Sequence, residues 1–524
     1  MKILEKFEKY IIFTSLFLLP LFFMPSFESL FDTPKLMILF IGVFIVLLIK
    51  LAKSIMRKGF EFNSSKFDLP VAFFMLAYLI SGIFSSTNRV DSFFLPGSAS
   101  FAILAGIYYY LVNQLSKEDK GELVNLILTS GFIMATMQIG SFLGITKLIP
   151  QLPEVTKVNY FSPFGNILSS IVFLIALIPL LISKIMSKTD LPEKILSVIV
   201  GLVLFISIST SIYLVLPGKA STPMILDLNS SWSIAIDSLK ANPFLGVGPS
   251  NYVQAFTQFK PVVFNSQANW NVKYLQGSST LLTIFTEIGI IGLLSALLIF
   301  YMVLRKIDYK NYLYTSLVIL TLGLIFLPIS QAFLTIVFLM LALNSESKDD
   351  KIAFFVKRYA LIFLLLPVLL IILAIGYFFG RAFYAETIFA NAIKQVNAGE
   401  GVKAYELANK AIKINYYSDR YHLLSSGINL AFAENIAKKE KLEYYMAFNE
   451  FNNSNKIKPM ISLLTKGLME SLHKRIAYLK GLRVIRLSEF VNLRKLSGSS
   501  IFNSAKRQSI PAFRERGVWK IGVK

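Results

Sequence analysis

The chain has 524 residues, 55% of them hydrophobic and 16% charged, with a mean hydropathy of +0.61. Soluble domains carry about 25% charged residues, so this composition excludes an ordinary soluble fold and points to a polytopic membrane protein. The formal charge of +22 fits basic cytoplasmic loops better than a nucleic-acid partner, and the absence of cysteine with two histidines excludes disulfides and thiol chemistry and argues against a metal centre.

A membrane crossing needs about 20 apolar residues. Eleven runs qualify or come near: 10–24, 36–49, 69–84, 101–112, 123–143, 167–185, 195–216, 281–304, 313–327, 333–343 and 361–379. The first follows Lys2, Lys6 and Lys9, lacks a small-residue cleavage site and leads through Pro25 into the next run, so it reads as an uncleaved anchor. Lysine and arginine crowd alternate loops, 50–66, 184–194, 305–310 and 348–358. That bias places the N-terminus in the cytoplasm and puts the hydrophilic segment 217–277 and everything after Arg381 outside.

Two short external loops carry polar residues. One holds Ser85, Asn88, Arg89, Asp91 and Ser92 ahead of Pro96-Gly97. Arg89 reads either as a solvated or headgroup-facing side chain, or as a guanidinium fork for phosphoryl oxygens. The other runs from Asn159 through Tyr160, Ser162 and Pro163 to Gly165-Asn166. Its Gly-Asn step either caps the following helix or leaves a helix N-terminus facing an anion.

The most specific stretch lies at 231–252, SWSIAIDSLKANPFLGVGPSNY. Trp232, Ile236 and Leu239 recur at helical spacing, and Pro243 ends the helix by restricting Asn242 and removing a donor. Gly246 and Gly248, with Pro249, Ser250 and Asn251, form a tight loop whose backbone a ligand can approach. GVGPSN follows no strand and opens no clear helix, so it is a poor phosphate loop.

From Tyr252 onward, Lys260 and Lys273 are isolated bases among aromatics and amides. Trp270 and Tyr274 suit either a sugar face or the membrane interface. Glu287 falls inside an apolar run, where a carboxylate is by default a functional residue, and Gly289 and Gly292 suit close helix packing.

The order of residues at 231–252, with FSPFGN at 161–166 and EIGIIG at 287–292, resembles the O-antigen ligase and polymerase-like membrane proteins over most of 70–345. The resemblance implies an all-α transmembrane bundle, here of about eleven spans over 1–380, with a large external loop at 217–277. It implies a glycosyltransferase of the bacterial cytoplasmic (inner) membrane, working in cell-surface polysaccharide biosynthesis. Such an enzyme moves a glycan from an undecaprenyl-diphosphate carrier to a lipid, glycan or protein acceptor, with no cofactor and no metal.

On that reading Arg89, Lys273 and Glu287 are the catalytic candidates. Trp232, Lys240, Gly246, Gly248, Asn251, Lys260 and Trp270 are the substrate-binding ones, with Lys219 as a further external cation. Family members usually carry a His-Asn pair nine residues before the glutamate, where Ser278-Ser279 stand here, and an arginine before the helix tryptophan, where Ser230-Ser231 stand. A non-catalytic scaffold or glycan-lipid binding protein therefore remains a rival, as does a lipid-linked sugar transporter.

Beyond the last run, 381–455 is helical in character with alanines at contact positions, and resembles a tetratricopeptide-type helix pair able to recruit a protein partner, with plain helical hairpins as the alternative. His422 reads as a packed or surface residue rather than a ligand. From Lys456 to Lys524 bases dominate without a hydrophobic period, so 456–524 is expected to be a poorly folded or degenerate tail.

Overall fold

The computed structural model describes the chain except residues 95–98, 188–189, 220, 267–268, 306–309, 346–350, 356, 440–472, 475–476, 478–481, 494–496, 507–509, 516–517 and 524. Pro96-Gly97 and the start of the basic tail lie outside the described residues. The chain divides into two compact units, Met1–Gly380 and Arg381–Lys524.

The first unit is mostly helical. Its helices are α1 (Lys2–Leu18), α2 (Asp32–Arg57), α3 (Asp68–Phe84), α4 (Arg89–Phe94), α5 (Ala99–Asn113), α6 (Lys117–Phe142), α7 (Ile167–Met186) and α8 (Leu191–Val215). They continue with α9 (Leu228–Ala241), α10 (Tyr252–Phe259), α11 (Thr280–Leu304), α12 (Tyr312–Phe326), α13 (Phe333–Leu343) and α14 (Arg358–Asn397). Strands β1 (Gly59–Asn63) and β2 (Lys351–Phe355) pair antiparallel. Each apolar run falls on a helix, the first stopping at Leu18, just before the Leu19-Pro20 step. Among the described residues six helices, α2, α6, α7, α8, α11 and α14, are long and apolar enough to cross a membrane, while α3, α5, α12 and α13 are apolar but shorter.

The centre of this unit is α13. All eleven of its residues are buried, as a helix apolar on every side requires, and it packs on α5, which in turn packs on α3. Around this centre α7 sits between α8 and α12, and α11 lies against α3 and α9. Ion pairs tie one end of the bundle: Glu8 accepts from Lys50 and Lys53, each at 2.8 Å, and Lys9 pairs with Asp119 and Glu122 of α6. The apolar half of α14 is largely exposed, as a lipid-facing helix should be, and leans on α2 where Phe379 stacks on Phe40 at 4.0 Å.

In the second unit the end of α14 packs with α15 (Gly401–Ile414) and α16 (Asp419–Lys439) around Ala385, Phe389, Ile412 and Tyr421. Arg420 and the Tyr421 hydroxyl both reach the Glu386 carboxylate. His422 is half-buried and bonded to the Tyr416 carbonyl at 2.7 Å. Part of the segment expected to be poorly folded is built as β3 (Arg483–Arg486), α17 (Leu487–Leu493), α18 (Gly498–Lys506), β4 (Ala512–Glu515) and β5 (Val518–Val523). The strands form an antiparallel sheet in the order β3-β5-β4. Its core of Ile485, Leu487, Ala505, Ala512 and Ile521 draws single apolar residues from short elements, which is why no period announces it.

Candidate functional site

The site is organised by a break in a membrane helix. α11 is capped by Ser279, whose hydroxyl accepts from Leu282 N–H at 3.2 Å, and runs regularly from Thr280 to Ile288. Gly289 then takes φ +69° and ψ −158°, outside the helical region. A break strands carbonyls before it and amides after it, and at membrane depth these need partners inside the protein.

The 243–248 loop supplies them. Val247 N–H donates to Thr286 O at 3.2 Å and Gly248 N–H to Glu287 O at 2.8 Å, while Ile290 N–H donates to Pro243 O at 3.1 Å and Ile291 N–H to Phe244 O at 3.3 Å. From α3, Ser81 Oγ donates to Leu245 O at 2.7 Å, and Ser85 Oγ donates to Gly246 O. Two glycines make this approach feasible. A Cβ on Gly246 (φ +63°) would lie 2.5 Å from Thr286 O, and one on Gly289 would lie 2.6 Å from Gly246 N.

Glu287 sits just before the break, 3% exposed, and its Oε1 accepts from Tyr252 N–H at 3.2 Å. Tyr252 is the first residue of α10, so the loop does open a helix, contrary to the sequence expectation. That N-terminus is not free for phosphate, because a carboxylate from 35 residues along the chain occupies it. Asn251 holds the N-cap position without capping through its side chain. Its amide donates instead to Ser86 Oγ and Val247 O, each at 3.2 Å.

α10 buries Tyr252, Ala255 and Phe256 at helical spacing against Leu226, Ile234, Phe264 and Tyr274. The Tyr252 hydroxyl lies 3.4 Å from Ser231 Oγ, and burial pushes the phenol up to about 12, so it stays neutral. Phe256, Phe264 and Tyr274 form a triangle of rings with centroids 5.3 to 6.1 Å apart. The ammonium of Lys260, just past α10, lies 5.7 Å from the Phe256 ring and 5.6 Å from the Phe264 ring.

Beside this cluster is a cleft of about 660 Å³ lined by Phe256, Lys260, Asn265, Trp270, Asn271 and Lys273, among others, with no carboxylate among the described residues that line it. Three sequence candidates, Lys260, Trp270 and Lys273, therefore meet in one place. The others do not line it. Arg89 is exposed at the start of α4. Lys240 is paired with Asp237 at 2.8 Å, and Lys219 bonds the Tyr213 hydroxyl at 2.8 Å. Trp232 is 54% exposed and leans on Phe285 at 6.2 Å, while Gly246, Gly248, Asn251 and Glu287 belong to the stitched break.

Ser279 caps α11, whereas Ser278 is held only through its backbone, its N–H donating to Ser231 Oγ at 3.0 Å, and its buried hydroxyl has no hydrogen-bond partner among the described residues. Both histidines lie in the second unit.

A second cavity, about 380 Å³, opens at the start of α7 among Phe31, Tyr160, Ser162, Asn166, Gln276 and Pro328. Asn166 is the N-cap, its Oδ1 accepting from Leu168 N–H at 2.9 Å and its amide donating to Pro328 O at 3.2 Å. Sequence reading missed Lys35, fully buried near this cavity and donating to Phe22 O at 3.1 Å and Pro163 O at 2.9 Å. A lone lysine next to an apolar run was the available signal. Neither a protein-family model nor a curated protein matches the chain.

Proposed function

We propose that the protein is a membrane glycosyltransferase of the O-antigen ligase and polymerase class, taking a glycan from an undecaprenyl-diphosphate carrier outside the bacterial cytoplasmic membrane. The observation that carries this reading is the joining of two distant stretches. The loop within 231–252 and the EIGIIG segment, which bear the resemblance, are bonded backbone to backbone as one unit. That unit continues through α10 into a cleft with two ammonium groups, a tryptophan and two asparagines. We read eleven spans, the six long helices together with α1, α3, α5, α12 and α13. The N-terminus is then cytoplasmic, the cleft and the second unit are external, and α15 with α16 form a tetratricopeptide-like pair.

In the transfer, an acceptor hydroxyl attacks the anomeric carbon and the bond to the carrier oxygen breaks. The diphosphate leaves with the electron pair, and the acceptor's proton passes to solvent or to the diphosphate. Lys260 and Lys273 would offset the charge growing on that leaving group, and Trp270 would offer a face to the sugar.

In reconstituted membranes with a lipid-diphosphate glycan, Lys273→Ala and Lys260→Ala are each expected to lower kcat/KM about a hundredfold, about 2.7 kcal/mol of barrier, while the protein stays folded. Transfer unchanged in both variants would refute the assignment of this cleft. A second reading, a glycan-lipid binding scaffold, draws on Ser279 serving as the cap of α11 and on the lack of any imidazole in the first unit. It predicts that the native protein binds the donor and transfers nothing.

A further inference from the structure

Glu287 reads from sequence as either an acceptor-side base or a helix anchor, and a general base must come within about 2.6–3.2 Å of the proton it takes. Glu287 is 3% exposed and lines neither cavity described above. What its carboxyl does touch is the first amide of α10. We infer that Glu287 is a positioning residue, which fixes α10 against the break in α11 and so sets the Lys260 side of the cleft.

The path is one of direct contacts. Glu287 Oε1 holds Tyr252 N–H, at the end of α10 where the helix dipole favours an acceptor and a negative charge. α10 then presents Phe256 to Phe264 and Tyr274, and Lys260 rests over the first two of those rings. Asn251 has turned its own side chain away to Ser86 and Val247, so a carboxyl from a membrane helix replaces the local cap. The external loop is thereby registered to the bundle by a side chain as well as by the backbone bonds around Gly289. The second carboxyl oxygen, Oε2, has no hydrogen-bond partner among the described residues, so glutamine can keep the contact through its own Oε1.

The last arm of the test rests on the proposed function; the first does not. Hydrogen exchange on the full-length protein in lipid nanodiscs is expected to show α10 amides opening about tenfold or more faster in Glu287→Ala, with α7 amides unchanged. In Glu287→Gln the same amides stay within about threefold of native. Binding of inorganic diphosphate, read by Trp270 fluorescence with Trp232 and Trp519 replaced by Phe, is expected to weaken about tenfold in the alanine variant and to be restored in the glutamine variant.

Unchanged α10 protection in Glu287→Ala overturns the inference. So does loss of transfer in Glu287→Gln with α10 protection and diphosphate binding intact, since that pattern belongs to a base. If Glu287→Ala does not fold, the glutamine variant decides between these outcomes alone. If the native protein transfers no glycan, the proposed function fails while exchange still judges the role of Glu287.

Discussion

At the residue scale, three buried ionisable side chains here are explained by partners distant in sequence. Lys35 and Glu287 both interrupt apolar helices, and both hold backbone groups of another segment. His473 is a third case, in the second unit. It is fully buried, its Nδ1–H donates to Ala512 O at 3.2 Å, and burial lowers its pKa from 6.5 to about 4. The folded state therefore holds the ring neutral while the unfolded chain takes up a proton below about pH 6.5. Stability contributed by the neutral ring is fully present above that pH and is lost as pH falls from 6.5 towards 4, to a limit of about 3 kcal/mol. Urea unfolding followed by Trp519, which packs in the neighbouring core, is expected to show that loss, and His473→Gln to flatten it.

At the element scale, α11 and the 243–248 loop are one structure made from two pieces of chain. Gly289 permits the break, and Gly246 lets the loop come within bonding distance of it. Gly289→Ala places a side chain in a left-handed conformation and drives its Cβ against the backbone of Phe244 and Gly246. Strain alone costs about 1–3 kcal/mol, and the contact adds to it. The expected result is a clear drop in thermal stability of the purified protein. Gly140→Ala in α6, where a Cβ meets nothing within 4 Å, is expected to leave stability unchanged or raise it by up to about 1 kcal/mol. Equal effects of the two substitutions would mean that the break is not what makes Gly289 necessary.

At the scale of the whole molecule, the absence of cysteine allows a direct test of orientation. Lys66 lies in a basic loop read as cytoplasmic, and Val262, 85% exposed, lies in the loop read as external. Val262→Cys is expected to react with a membrane-impermeant maleimide in intact cells, and Lys66→Cys only after permeabilisation; the reverse pattern would invert the topology.

The positions of the apolar helices in the first unit were legible because bilayer thickness and helical rise act locally, on about 20 consecutive residues. The N-cap of α7, one of two readings of Gly165-Asn166, and the stop before Pro243 were legible for the same reason, since each involves neighbours in the chain. The break at Gly289 was not, because glycine is compatible with a continuous helix, and what stabilises the break is a loop some forty residues earlier. Nor were the partner of Glu287, the opening of α10, the meeting of Lys260, Trp270 and Lys273, or the small sheet at 483–523. Each depends on atoms that come into contact only when distant segments pack. By itself the sequence determined a helical membrane protein and the residue types able to do its chemistry; tertiary structure decided which of them share a cleft and which hold the fold together, because hydrogen bonds and burial act between neighbours in space.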